Sequence, residues 1–256
     1  MSGYPELLLG PPRLLPVLLL WVSGMIAVPL LSRRGEKGRT GGIMLGVILQ
    51  AVLVTTYLFY AWDFLRVLVV LLLVPALGWL AEFAGSRTGI PFGRYHYTKA
   101  LQPQIGEVPV AIPLAWLMML PPSWAVADLI LPGGSWWLRA TIGAASFTAW
   151  DIYLDPHLVS WSFWKWEKPG RYYMGIPLGN FLGWFLWAWI ITALVTAGMG
   201  PYALSGTPLF LVYFLTWLFQ FGGHMVFWKL GLSGIVGFVA MGIPAGFALR
   251  ALVRMF

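Results

Sequence analysis

Apolar runs about twenty residues long return along this chain about every 25 to 35 residues, with no long polar insert between them. A helix needs about 20 apolar residues to cross a bilayer core. Backbone in lipid must satisfy its own hydrogen bonds, which leaves runs of this kind little choice but the α-helix. The chain therefore reads as an all-α, polytopic helical membrane protein, a single transmembrane domain over residues 1–256. Composition agrees, with 59% hydrophobic residues, 10% charged and a mean hydropathy of +0.79, against about 25% charged in soluble domains. There is no cysteine, hence no disulfide framework and no thiolate chemistry.

The runs predict about eight transmembrane helices, near 14–31, 42–61, 64–84, 111–131, 136–155, 178–197, 209–228 and 233–253. Pro121-Pro122 predicts a kink or break in the fourth, and seven spans if that segment only dips into the bilayer. The opening MSGYPELLLGPPR lacks the basic n-region of a cleaved leader, so it is expected to stay. A net charge of +7 and a pI near 9.8 would suit nucleic acid only if the basic residues formed a patch. Instead they are divided among short links, as in a membrane protein whose orientation they set. Arg33, Arg34, Lys37, Arg39, Arg87, Arg94, Lys99, Lys165, Lys168, Arg171 and Lys229 fall after spans one, three, five and seven. That bias puts these links in the cytoplasm, with both termini outside.

Two of these links are rich in Gly, Pro and Tyr. TGIPFGRYHYT and GRYYMGIPLGN echo one another, which reads as shared composition rather than a true repeat. The second follows the stretch with most chemistry, TAWDIYLDPHLVSWSFWKWEKPGRYYMGIPLGNFLGW, where Asp151 and Asp155 stand one helical turn apart and so share a face. Ionisable groups in membrane segments are usually functional. Two carboxyl groups in one low-dielectric site cannot comfortably both carry charge, which suits one of them to deliver a proton. The bland reading of Asp155, next to Pro156, is that it ends one helix and caps the next. Glu82 lies level with Asp155 at the end of span three. Asp63 and Asp128 read as structural or solvated.

Three histidines are present, His96, His157 and His224, with no HxxxH, HxxH or CxxC pairing, so no multi-histidine metal centre is expected and no metal is assigned. No GxGxxG or P-loop supports a nucleotide. Among many tryptophans suited to the membrane interface, Trp150, Trp161, Trp164, Trp166 and Trp184 cluster in sequence around the acids, and aromatic faces stabilise cations.

GIPFGRYHYT, VPVAIPLAW, TAWDIYLDP and GRYYMGIPLGNFLGW, in this order, resemble the CruF-type carotenoid biosynthesis proteins. The resemblance implies an integral-membrane carotenoid hydratase without a redox cofactor. Such an enzyme adds water to the terminal C1–C2 double bond of an acyclic end group of lycopene, γ-carotene or a C50 precursor. Hydrating such an alkene needs an acid, a cation-tolerant pocket and one placed water. Asp151 is then expected as proton donor, with Asp155 and Glu82 as supporting acids. Arg94, Tyr95, His96, Tyr97, Trp150, Tyr172, Asn180 and Trp184 are candidates for lining the substrate or placing the water. The carotenoid would be taken from the bilayer, with room for association with other carotenoid-synthesis enzymes.

Two other readings remain at this point. DIYLD also reads as DxxxD, the magnesium-diphosphate motif of membrane prenyltransferases, although WLAEFAG is a poor second motif. A transporter or scaffold of a pigment-synthesis complex would show paired broken helices, and only the fourth segment is visibly interrupted.

Overall fold

The computed structural model describes residues 10–199 and 207–255. The leading residues 1–9, which carry much of the segment read as lacking a cleaved leader, lie outside them. Among the described residues, after a single 3₁₀ turn, Pro12–Leu14, come eight helices: α1 Leu15–Ser32, α2 Gly35–Ala61, α3 Phe64–Thr88, α4 Ala111–Ile130, α5 Trp136–Ser160, α6 Leu178–Met199, α7 Thr207–Gly222 and α8 Gly231–Val253. A π-helical turn, Gly223–Phe227, ends α7. Seven of the helices are long and apolar enough to cross a membrane; α5 falls short. The helix made marginal is thus the acid-bearing one rather than the proline-interrupted fourth.

α4 is the hub, buried at nearly every position and packed against α2, α3, α5, α7 and α8. The surrounding helices turn apolar side chains outward. Leu19, Leu20 and Ile26 on α1, Leu72 on α3, Leu182 and Leu186 on α6, and Val239, Ile243 and Phe247 on α8 are all exposed. Apolar exposure this extensive belongs to a surface facing lipid.

Pro121 and Pro122 leave α4 unbroken. A helical proline lacks an N–H and strands the carbonyl four residues earlier. For Pro122 that carbonyl belongs to Met118, and it accepts instead from the Gln50 side-chain amide nitrogen Nε2 at 3.2 Å. The same device carries α5 through Pro156 to Ser160, five residues beyond the predicted end. The Ile152 carbonyl, left without its N–H, accepts from the Tyr173 hydroxyl at 2.8 Å. Asp155 therefore lies inside a helix and caps nothing. α2 begins at Gly35 rather than near 42, which places Lys37 and Arg39 on helix rather than in a link.

The links after α3 and α5 meet at one end of the bundle. Strand β1, Tyr95–Tyr97, pairs antiparallel with β4, Trp164–Trp166, in the register Tyr95 to Trp166 and Tyr97 to Trp164. Between them β2, Gln104–Ile105, and β3, Val108–Pro109, form a small hairpin. The two GRY segments do not repeat one another, since the first enters β1 while in the second Tyr173 bridges only to Ile176.

Phe92, from the first GIPF, is fully buried between α3 and α6. A Cβ added at Gly85 or at Gly183 would each come within 2.5 Å of its ring. Gly85 stands three residues after Glu82 and Gly183 three after Asn180, so one aromatic ring sets these two helices in register. Gly183→Ala should overpack this contact and cost about 1–3 kcal/mol, measured as a lowered thermal midpoint in nanodiscs. Leu182→Ala, at an exposed neighbour, should cost no more than about 0.5 kcal/mol.

Candidate active site

The aromatic-loop end of the bundle shelters three carboxyl groups: Glu82, Asp151 and Asp155, exposed by 3%, 0% and 1%. Among the described residues none of the three has an ion-pair partner. They are held by neutral donors. Asn180, in the first turn of α6, donates from Nδ2 to Asp151 Oδ2 at 2.7 Å and to Asp155 Oδ2 at 2.8 Å. The Trp164 indole N–H donates to Asp155 Oδ1 at 2.7 Å. Glu82 Oε2 accepts from the hydroxyls of Tyr95 and, at 2.7 Å, Tyr97.

Strand geometry explains the supply. Alternate residues of a strand point to opposite faces, so the β1–β4 pair turns Tyr95, Tyr97 and Trp164 inward together. Burial, reinforced by the Glu82 carboxylate, pushes both phenols well above the usual tyrosine value. They remain protonated donors through the physiological range.

Two carboxyl oxygens are left over, Asp151 Oδ1 and Glu82 Oε1, both buried without a partner. The Trp116 indole N–H faces Glu82 but closes no hydrogen bond of normal geometry, and Trp150 Nε1 is likewise unpartnered. These side chains belong to an aromatic cluster one helical turn from the acids. Trp116 stacks on Trp184 with centroids 4.8 Å apart and planes at 14°. Phe147 lies 4.8 Å from Trp116 and 5.2 Å from Trp184. Trp150 meets Trp184 edge-on at 6.2 Å. Trp184 follows Asn180 by four residues, so α6 offers an amide to the acids and a ring to the cluster from one face. Gly78 makes room, since a Cβ there would stand 2.8 Å from the Trp116 ring.

A family model described as carotenoid biosynthesis protein matches residues 42–244, a stretch that contains all three acids. The chain belongs to that family. Bisanhydrobacterioruberin hydratase of Haloarcula japonica is 28% identical over 167 residues, which cover 61% of this chain and 56% of that protein. The chain thus spans little more than half the length of this curated relative. No solved structure matches.

Of the residues singled out in the sequence, Glu82, Asp151, Asp155, Asn180, Tyr95, Tyr97, Trp150 and Trp184 converge. His96, Arg94 and Tyr172 do not. His96 and Arg94 are exposed on the outer side of the β1 region, because the alternation that turns Tyr95 and Tyr97 inward turns their neighbours out. Tyr172 is 81% exposed, and it is Tyr173 that reaches α5. Asn180 and the two tyrosines give their hydrogens to the carboxyl groups. Trp116 and Phe147 carry no sequence signal beyond being aromatic. Trp164 has one, its spacing of two from Trp166, which is the period of a strand.

Among the described residues no three His, Cys, Asp or Glu side chains form a metal-ligating group. The N–H dipoles of Asn180 and Trp164 also present their positive ends to the aspartates, where a magnesium ion would have to sit.

A cleft lies on the neighbouring face of α5. Trp150, Leu154, His157 and Leu158 line it, whereas Asp151 and Asp155 do not. Trp150 lines the cleft and also belongs to the aromatic cluster, next in sequence to Asp151.

Removing the clamp by Asn180→Ala should leave Asp151 Oδ2 and Asp155 Oδ2 unpaired, each costing about 1–3 kcal/mol. Thermal unfolding in nanodiscs should show the loss, while Tyr172→Phe should leave the midpoint unchanged.

Proposed function

We propose that this protein is a membrane carotenoid hydratase, adding water to the terminal C1–C2 double bond of an acyclic carotenoid end group. The observation that carries this reading is Asp151. It is buried, held by one oxygen, unpartnered at the other, and one turn from a cluster of indole and phenyl rings. The family match and the hydratase named in Haloarcula japonica support the same chemistry.

In this mechanism Asp151 Oδ1 gives its proton to C2, forming the new C–H bond and leaving a tertiary cation at C1. The faces of Trp150, Trp184 and Trp116 stabilise that cation, each such contact contributing about 0.5–2 kcal/mol. A water oxygen bonds to C1 and its surplus proton returns to the carboxyl set, so the sum is one added water. Asp155 and Glu82 keep the proton within the site. Asn180 fixes the Asp151 carboxyl, and Tyr95 and Tyr97 fix that of Glu82. Catalysis by a placed general acid contributes about 10²–10⁴-fold.

The family resemblance implies a prokaryotic cell membrane, and by the lysine and arginine bias the aromatic-loop end faces the cytoplasm, where protons and water reach the acids. The substrate comes from the bilayer.

The test is pigment analysis in bacteria that accumulate lycopene or γ-carotene and express this chain, grown in water enriched in heavy oxygen. The expected product is heavier by one water and carries the heavy label. Asp151→Asn should cut its yield by at least about 10²-fold with the protein still present in the membrane. A fully active D151N would overturn the assignment, and a label drawn from dioxygen would overturn the reaction.

A further inference from the structure

The cleft beyond Trp150 is not explained by the hydration chemistry. It lies between α1, α2, α4, α5 and α7, is lined mainly by apolar side chains such as Met25, Val47 and Leu154, and encloses about 70 Å³. One water needs about 10–15 Å³ on this measure, so the space suits a short branched end group and not a whole polyene. Met25, Pro29 and Phe219 at its α1–α7 edge are only half-buried, which leaves a way in from the lipid.

Three residues lining this cleft carry a polar atom without a partner: Trp150 Nε1, in the wall next to the acids, and, at the cleft's other end, His157 Nε2, on a side chain only 2% exposed, and Gln220 Oε1. The His157 ring is fixed between Trp228, stacked at 3.7 Å, and Trp161, edge-on at 4.0 Å. Trp228 is brought over it by the π-helical turn that ends α7, and departures of this kind are frequent at functional sites.

The chemistry of His157 Nε2 and Gln220 Oε1 narrows the ligand. Gln220 Oε1 can only accept, and an imidazole nitrogen can donate. A hydroxyl satisfies both, giving its hydrogen to Gln220 and receiving one from His157. No Lys, Arg, Asp or Glu lines the cleft, so a charged head group would find no counter-charge. We propose that this cleft binds the hydroxyl-bearing end of an isoprenoid alcohol, with His157 and Gln220 as the residues that recognise the hydroxyl. On the hydratase reading, on which the biological role rests, this is where the hydrated end group lodges after it leaves the acids, across Trp150.

Binding can be measured without turnover, using the purified full chain in nanodiscs and two small probes. These are 2,6-dimethylheptan-2-ol, which matches a hydrated end, and 2,6-dimethylheptane, which lacks the hydroxyl. The wild type should prefer the alcohol at least tenfold after correction for partitioning into lipid. His157→Phe keeps the ring and Gln220→Leu keeps the bulk, and either should collapse that preference. Both variants should also unfold at a higher temperature than the wild type without ligand, because each removes an unsatisfied buried polar atom. Asp151→Asn should retain the preference. Equal binding of the two probes, as expected if the cleft holds only water, would overturn the proposal. So would a preference that survives both cleft substitutions, or one that vanishes in D151N. The heavy-oxygen experiment tests the hydratase reading separately, and its failure would leave the recognition of an isoprenoid alcohol standing.

Discussion

Three carboxyl groups lie in an apolar bundle with no cationic side chain paired to them, and most of the local architecture answers that difficulty. A buried carboxyl is tolerable only with its oxygens hydrogen-bonded. Here the donors are an amide, an indole and two phenols, drawn from α6, β4 and β1. Arginine or lysine partners would hold the carboxyl groups permanently as anions. Neutral donors leave the proton free to move, which is what an acid catalyst requires. The two oxygens left unpartnered are both buried, away from solvent.

Proline has a positive role in the same framework. At Pro122 and Pro156 a missing N–H frees one main-chain carbonyl inside the bundle, and each carbonyl becomes an anchor. Gln50 ties α2 to α4 through Met118, and Tyr173 ties the second aromatic loop to α5 through Ile152. The second tie holds the loop that carries Trp164 against the helix that carries Asp155.

The helical content was legible from the apolar runs, and so was the pairing of Asp151 with Asp155, since a spacing of four is local to one helix. The meeting of Glu82 with the aspartates was legible only as a matter of level. What brings it there is Phe92 seated between Gly85 and Gly183, a contact between residues distant in sequence. The prolines misled because sequence shows the N–H they remove but not the side chain that compensates. His96 and Tyr172 stand apart from the acids for a related reason. Their types suit a site, but strand register and loop path decide which of two neighbouring side chains turns inward. The cleft beside Trp150 left no trace in the sequence, because its walls come from five helices.

The hydropathy of α5 bears on how the chain enters the membrane in the first place. An aspartate within a transmembrane segment opposes insertion, by up to about 2.5–3.5 kcal/mol at the helix centre, and α5 carries two. Its donors, Trp164 and Asn180, lie downstream and are synthesised later. The hydrogen bonds that make the two aspartates of α5 tolerable in lipid are thus complete only once α6 has been made. The acid cluster thereby makes α5 depend on the helix that follows it, through the amide of Asn180.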